Sequence, residues 1–149
     1  MNILINNKLF NINDVFFQES VKNTIMNESS FTRILYSNNI FILNGIHLLI
    51  NLKIDKIEKY YHKYICHFNI NSNNEIIDTI INIERKILNK YNTKKVYNLN
   101  IGQQLMSSNI KILDDDISIG DIRDEFILKL SGIWENEKEY GITYKIIPI

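Results

Sequence analysis

The sequence has few of the residues that cross-link or interrupt a chain: one cysteine, one proline and five glycines among 149 residues. The single cysteine, Cys66, excludes an internal disulfide and a cysteine-based zinc framework, and it fits a reducing compartment. Alternation around Cys66 places its side chain in the core. A chain of this length buries an adequate core without cross-links, so we expect a single domain over residues 1–149.

The sequence also lacks an excess of positive or negative charge, since 17 basic residues balance 17 acidic ones. The chain therefore lacks the overall basic character of typical nucleic-acid-binding proteins, and any such binding must use a local patch. The N-terminus has no basic stretch followed by a long apolar core, and no apolar run reaches 18 residues. We expect an intracellular protein that is neither secreted nor membrane-bound.

No catalytic or metal-binding motif is present: the sequence has no phosphate loop, nucleophile elbow or paired carboxylate motif. Of the three histidines, His62 is predicted to be a hydrogen-bonded core or barrel-end residue, and His47 and His67 could meet across strands. Two ligands do not make a zinc site. The acidic loop from Asp114 to Asp124 lacks the spacing of a calcium loop. We expect no enzymatic activity, no metal and no cofactor.

What the sequence does contain is alternation of apolar and polar residues, which is clearest in a long hairpin predicted over residues 124–149. One face carries apolar side chains at alternate positions: Phe126, Leu128, Leu130, Gly132, Trp134, Tyr140, Ile142, Tyr144 and Ile146. This spacing favours core packing of Trp134, Tyr140 and Tyr144 over a role as stacking platforms, and the choice between core and binding surface stays open. Two strands cannot bury such a face alone, so other elements must cover it.

Two further runs alternate in the same way, at residues 46–54 and 60–70. We expect them to form an antiparallel pair joined by a short connection at residues 55–59. Shorter strands are predicted at residues 3–5, 15–17, 31–36, 40–43, 96–101 and 109–113, with a glycine-containing loop between the last two.

One segment has the period of a helix. Ser72 and Glu75 have the spacing of a capping box, and apolar residues recur at helical intervals from Ile76 to Ile87. The sequence therefore predicts one helix at about residues 72–91. The fold class is mostly β (α+β), and the order of elements favours an OB-like antiparallel barrel with this helix as its cover and the hairpin at its C-terminus.

OB-folds bind oligonucleotides on the faces of their central strands, so the polar faces of residues 46–70 indicate a nucleic-acid site. Lysines there would neutralise phosphates and a tyrosine would stack on a base. The predicted binding residues are Lys53, Tyr61, Lys63 and His67, extended by Lys129 and Lys145 on the polar side of the hairpin. An ordinary solvated sheet face would show similar residues, and this alternative stays open.

Two segments, 31–52 (FTRILYSNNIFILNGIHLLINL) and 126–145 (FILKLSGIWENEKEYGITYK), resemble small uncharacterised proteins of large nucleocytoplasmic DNA viruses with AT-rich genomes. The resemblance implies a viral origin and a location in the host cytoplasm or the virion. More distantly, the order of elements is similar to the OB-fold small subunit of nuclear RNA polymerases. These resemblances carry over no functional residue.

The leading hypothesis is a non-catalytic OB-like protein of a large DNA virus that binds single-stranded nucleic acid. The alternative is a structural or interaction protein, either a virion component or a small subunit of a viral transcription or replication complex. The oligomeric state, and the choice between DNA, RNA and protein partners, stay open.

Overall fold

A computed structural model describes residues 3–22, 29–113 and 117–149. It confirms a mostly β chain with one long helix. The strands are β1 (Leu4–Asn6), β2 (Val15–Phe17), β3 (Val21–Lys22), β4 (Ser30–Ser37), β5 (Ile42–Asn44), β6 (Ile46–Asn51), β7 (Ile54–Tyr60), β8 (Lys63–Phe68), β9 (Val96–Asn98), β10 (Asn109–Leu113), β11 (Glu125–Glu135) and β12 (Glu139–Pro148); the helices are α1 (Asn74–Tyr91) and α2 (Asn100–Met106). The start of the predicted acidic loop, residues 114–116, lies outside the described residues.

Strand β11 is the centre of the larger of two sheets. It pairs with β12 on one edge, which confirms the predicted hairpin. On its other edge β11 pairs first with β6 and then with β4, so these two strands lie end to end beside it. Short strands extend the sheet further: β1 pairs with β6, β9 with β12, and β2, β3 and β5 with β4.

A β-bulge divides β11 into two halves. Leu130 pairs with Tyr144 and Gly132 with Thr143, so Ser131 is an extra residue in the ladder. One inserted residue exchanges the two faces of everything that follows it. Ile133 is therefore fully buried in the core. The predicted core position of Trp134 is wrong, because the bulge turns its side chain to the opposite face.

The smaller sheet has the antiparallel order β10-β8-β7. The predicted pair of residues 46–54 with 60–70 is wrong, because β6 and β8 belong to different sheets. After Asn51 the chain leaves the larger sheet: the Leu52 N–H donates to the Asp124 carbonyl, and the Lys53 N–H donates to Asn73 Oδ1. The predicted connection at residues 55–59 is then part of strand β7, which forms a hairpin with β8.

The long helix is confirmed, but its predicted capping box is not formed. Ser72 lies in a 3₁₀ turn, Asn71–Asn73, that precedes α1, and its N–H donates to Asn69 Oδ1. The neighbouring Asn73 is buried. Its side chain accepts the Lys53 N–H and donates to the carbonyl oxygens of Lys53 and Asn69. A single asparagine thus holds the link between β6 and β7 against the start of α1.

The second helix was not predicted. Residues 96–101 were expected to be a strand followed by a loop, yet β9 ends at Asn98 and α2 begins at Asn100. The short apolar run around Ile101 fits either structure by composition, and the contacts of α2 with α1 decide for the helix.

The core lies between the inner face of the larger sheet and a cover formed by α1, α2 and the smaller sheet. Buried side chains from the larger sheet include Ile46, Leu48, Ile50, Phe126, Leu128, Leu130 and Ile142; the cover contributes Tyr64, Cys66, Ile80, Ile87, Leu105 and Ile110. Tyr140 is buried as predicted, and Tyr144 is half-buried. No hydrogen-bonded ladder joins the two sheets within the described ranges, so the OB-like barrel is not confirmed.

Gly132 is expected to tolerate no side chain. A Cβ at this position would lie 2.4 Å from Phe31 Cζ and 2.5 Å from the Thr32 carbonyl oxygen, which belongs to a paired strand and cannot move away. We expect Gly132→Ala to lower the free energy of unfolding by about 1–3 kcal/mol. Gly120→Ala is the control, since its Cβ would meet its nearest neighbour at 4.0 Å. Chemical denaturation of both variants checks this, and equal effects would contradict it.

Candidate functional site

The six residues predicted to bind nucleic acid do not share one surface. Lys53 lies in the link between β6 and β7, Tyr61 in the turn of the β7–β8 hairpin, and Lys63 and His67 on β8. Lys129 and Lys145 lie on β11 and β12 of the other sheet. The prediction assumed that residues 46–70 form one sheet face, and the separation of β6 from β8 removes that assumption.

Lys53 borders a polar cleft of about 340 Å³ beside the start of α1. Asparagines, a second lysine, Lys8, and the acidic Glu75 line the same cleft. Because an acidic side chain shares this small space, the cleft does not have the uniform positive charge that phosphate binding requires.

Tyr61 is 94% exposed and adopts a positive φ of 46° in the hairpin turn. His62 beside it is exposed as well, so the prediction of a core histidine is wrong.

His67 lies on the outside of the smaller sheet beside a carboxylate, Glu58. Its Nε2 is 3.1 Å from Glu58 Oε1 without forming a hydrogen bond, and Lys56 Nζ is 3.2 Å from the same oxygen. The Tyr60 hydroxyl donates to Glu58 Oε2, and this bond together with Lys56 lowers the pKa of Glu58. The positive charge of Lys56 is thus already paired with an acidic group within the protein.

Lys129 and Lys145 do come together, and they bring a residue from a third strand with them. Lys129 stands directly opposite His47 of β6 on one side and opposite Lys145 of β12 on the other. Directly opposed residues point to the same face, with Cβ atoms about 5 Å apart. We call these three side chains the basic row. They lie on the outer face of the larger sheet, away from the core.

Among the described residues the two lysines of the basic row, Lys129 and Lys145, have no acidic partner. His47 is buried, and burial, followed by the positive charge of Lys129, lowers the pKa of its imidazole. His47 is therefore largely neutral at pH 7, and it gains its charge only in more acidic solution.

Aromatic side chains share the outer face with the basic row. Phe31 and Trp134 are a cross-strand pair and are both half-buried. Each lies over a glycine, Phe31 over Gly132 and Trp134 over Gly141, because a Cβ at either glycine would collide with the ring. The exposed Arg33 stands opposite Gly132, between this pair and the basic row. About 15 Å of strand separates Lys129 from Trp134.

A buried acid elsewhere in the molecule has a structural role. Glu84 of α1 is fully buried, and its two carboxylate oxygens accept the N–H groups of Ile101 and Gly102, both at 2.9 Å. Burial raises the pKa of Glu84, although the two hydrogen bonds oppose this. A carboxylate on unpaired N–H groups at a helix start is favourable. Glu84 thus fastens α2 to α1.

No protein-family model, curated protein or solved structure matches the chain. Within residues 3–22, 29–113 and 117–149, no three or more histidine, cysteine or acidic side chains are grouped as they would be around a metal ion. His47 and His67, the one pair of histidines that the sequence allowed to meet across strands, lie in different sheets. Among the same residues no helix is long and apolar enough to cross a membrane.

Replacing Glu84 tests its clamp on α2. In Glu84→Gln the amide offers one acceptor oxygen and turns its NH₂ group towards the second backbone N–H. We expect the free energy of unfolding to fall by about 1–3 kcal/mol. Glu75→Gln is the control on an exposed position of the same helix, with an expected change within about 0.5 kcal/mol. Urea denaturation at pH 7 measures both changes, and a neutral Glu84→Gln would contradict the clamp.

Glu84→Gln also tests how the stability of the protein depends on pH. Because the pKa of Glu84 is raised in the folded state above the ordinary value of 4.5, its protonation favours folding. This contribution is fully present below pH 4.5 and is lost as the pH rises through the raised pKa. The wild type should therefore exceed Glu84→Gln in stability by more at pH 4 than at pH 7. A difference that stays constant or grows with pH would refute this assignment.

Proposed function

We propose that the outer face of the larger sheet binds single-stranded nucleic acid without catalysis. The observation that carries the proposal is the basic row, in which Lys129 has a positively charged or chargeable side chain directly opposite it on both neighbouring strands. Like charges directly opposite each other destabilise a sheet. An anionic ligand bound between Lys129 and Lys145 would attract both side chains and offset their repulsion.

The charges and the aromatic rings suit a flexible strand. Lys129, Lys145 and Arg33 would neutralise phosphates, and Trp134 and Phe31 would offer partly exposed rings for base stacking. The outer surface of a sheet lets a single strand lay its bases against the rings, whereas paired bases in a duplex are not available for such stacking. The nucleic acid would therefore contact β4, β11 and β12.

The viral context is part of the same proposal. The two segments that resemble proteins of large DNA viruses include all of β6 and most of β4, β11 and β12, which are the strands that form this face. A small non-enzymatic protein that binds single strands would serve viral replication or transcription in the host cytoplasm or the virion. An OB-like character remains part of this proposal, through the central helix between two groups of strands.

Fluorescence anisotropy of a labelled single-stranded oligonucleotide tests the proposal. With about three phosphate contacts, affinity should fall roughly tenfold or more between about 50 and 200 mM salt. Lys129→Glu and Lys145→Glu should each abolish most of the binding. Lys53→Glu and Lys63→Glu make the same charge change on other surfaces and should bind as the wild type does. If instead these two controls lose binding and the first two keep it, the site lies elsewhere.

Trp134 supplies a second readout, because it is the one tryptophan in the sequence. Stacking of a base on its ring should quench its emission on addition of unlabelled oligonucleotide. Lys129→Glu should remove the quenching at the same concentrations. Binding with unchanged emission would place the bases away from Trp134.

The lowered pKa of His47 predicts how affinity depends on pH. Protonated His47 adds a positive charge to the basic row, so affinity should increase as the pH falls below 6.5 through the lowered pKa. His47→Gln should bind as the wild type does at pH 7.5 and should lack the increase at pH 5.5. Titration of both proteins by anisotropy measures this, and an identical increase in the variant would exclude His47 as its source.

A second candidate function is supported by an apolar row next to the basic one. Ile127 stands opposite Leu49 and Ile147, all three half-buried, and Leu4 nearby is 44% exposed. A partner protein would bury such a row. A failure of every oligonucleotide to bind at about 50 mM salt would favour this role as a structural or interaction protein.

A further inference from the structure

Strand β7 forms an edge of the smaller sheet. It pairs with β8 on one side, and no strand lies on its other side among the residues that the structure describes. At its start the Ile54 N–H donates to Asp124 Oδ1. Asp55, Lys56, Lys59 and Tyr60 are exposed, and Ile57 and Glu58 are half-buried. An edge strand of seven residues is long enough to pair with another strand.

The direction of the backbone groups follows from the hairpin. Its turn has two residues, Tyr61 and His62, so the flanking residues Tyr60 and Lys63 are a hydrogen-bonded pair. Hydrogen-bonded and non-hydrogen-bonded pairs alternate along an antiparallel ladder. Glu58 therefore directs its N–H and C=O to β8, and Ile57 directs both groups away from it, to the outer edge.

The sequence of β7 is complementary to itself in the antiparallel direction. When Ile57 is placed opposite Ile57 of a second copy, Lys56 lies opposite Glu58 on both sides of the axis. The ladder with β8 is regular from Lys56 to Tyr60 and shifts register between Ile54 and Lys56, so these two charged residues carry the complementarity. The outward backbone groups of the two Ile57 residues meet each other. Opposite charges at directly opposed positions stabilise a sheet, and like charges destabilise it.

We propose that two copies of the chain associate through β7, with a two-fold axis at Ile57, and so join their smaller sheets into one six-stranded antiparallel sheet. The Lys56–Glu58 ion pair of each copy, 3.2 Å in the single chain, would stand beside that of the other copy with the signs reversed. The four charges then alternate around the axis. Such an isologous contact closes on itself and stops at the dimer.

The other edge of the same sheet does not have this property. Strand β10 has Lys111 at its centre, so self-pairing in the same manner would place two lysines opposite each other. The charge pattern therefore selects β7 over β10 as the edge that a second copy recognises. Lysines on an edge usually prevent pairing with other strands, and here they make pairing specific for a copy of β7.

Charge reversal and mixing test this dimer. A contact between two single strands is small, so association should be weak, and sedimentation equilibrium is measured from about 5 to 500 μM protein. The wild type should shift from monomer to dimer within this range. Lys56→Glu places like charges opposite each other twice, as does Glu58→Lys, and each variant alone should remain monomeric. Lys111→Glu is the matched control and should dimerise as the wild type does.

Mixing the two monomeric variants gives the decisive result. In the mixed pair, Glu at position 56 faces Lys at position 58, and Glu58 faces Lys56, so a heterodimer should form at least as readily as the wild-type dimer. The doubly substituted chain should also regain self-association. Restored association shows that the single variants are folded. A wild type that stays monomeric at 500 μM, or a mixture that stays monomeric, overturns the proposal.

Discussion

The pairing of β11 along both of its edges is the constraint on which the structure depends. This strand bonds β12 through most of its length and bonds β6 and β4 in succession on its other edge. Strands far apart in the sequence are thereby placed side by side. Because the ladder fixes which residues are opposite each other, it also fixes which side chains share a face. The core and the candidate site therefore lie on the two opposite faces of these paired strands.

The bulge at Ser131 shifts by one residue which positions of β11 face the core. Before it, Lys129 points outwards and Leu130 inwards; after it, Ile133 is in the core and Trp134 is on the outer face. Without the extra residue, Trp134 would be a core side chain and the outer face would lose its indole ring. One inserted residue therefore brings an aromatic pair to the surface that carries the basic row.

The cover over the core depends on a few buried polar side chains that act at long range in the sequence. Asn73 holds the β6–β7 link to the start of α1, and Glu84 holds α2 to α1. Glu84 satisfies two buried backbone N–H groups that would otherwise be unpaired in a dry interior. Asn73 lies among several asparagines before α1 and Glu84 lies within α1, and neither composition nor period distinguishes these two side chains from exposed neighbours.

The sequence by itself determined the hairpin, the long helix and most strands, because an alternation of two or a period near 3.6 is a local property of the chain. It also determined that Cys66 and Tyr140 face the core. Only the tertiary structure decided that β6 and β8 belong to different sheets, that His62 is exposed, and that Lys129 and Lys145 meet His47. Strand pairing between distant segments and a single bulge leave the local pattern almost unchanged, yet they decide which residues become neighbours.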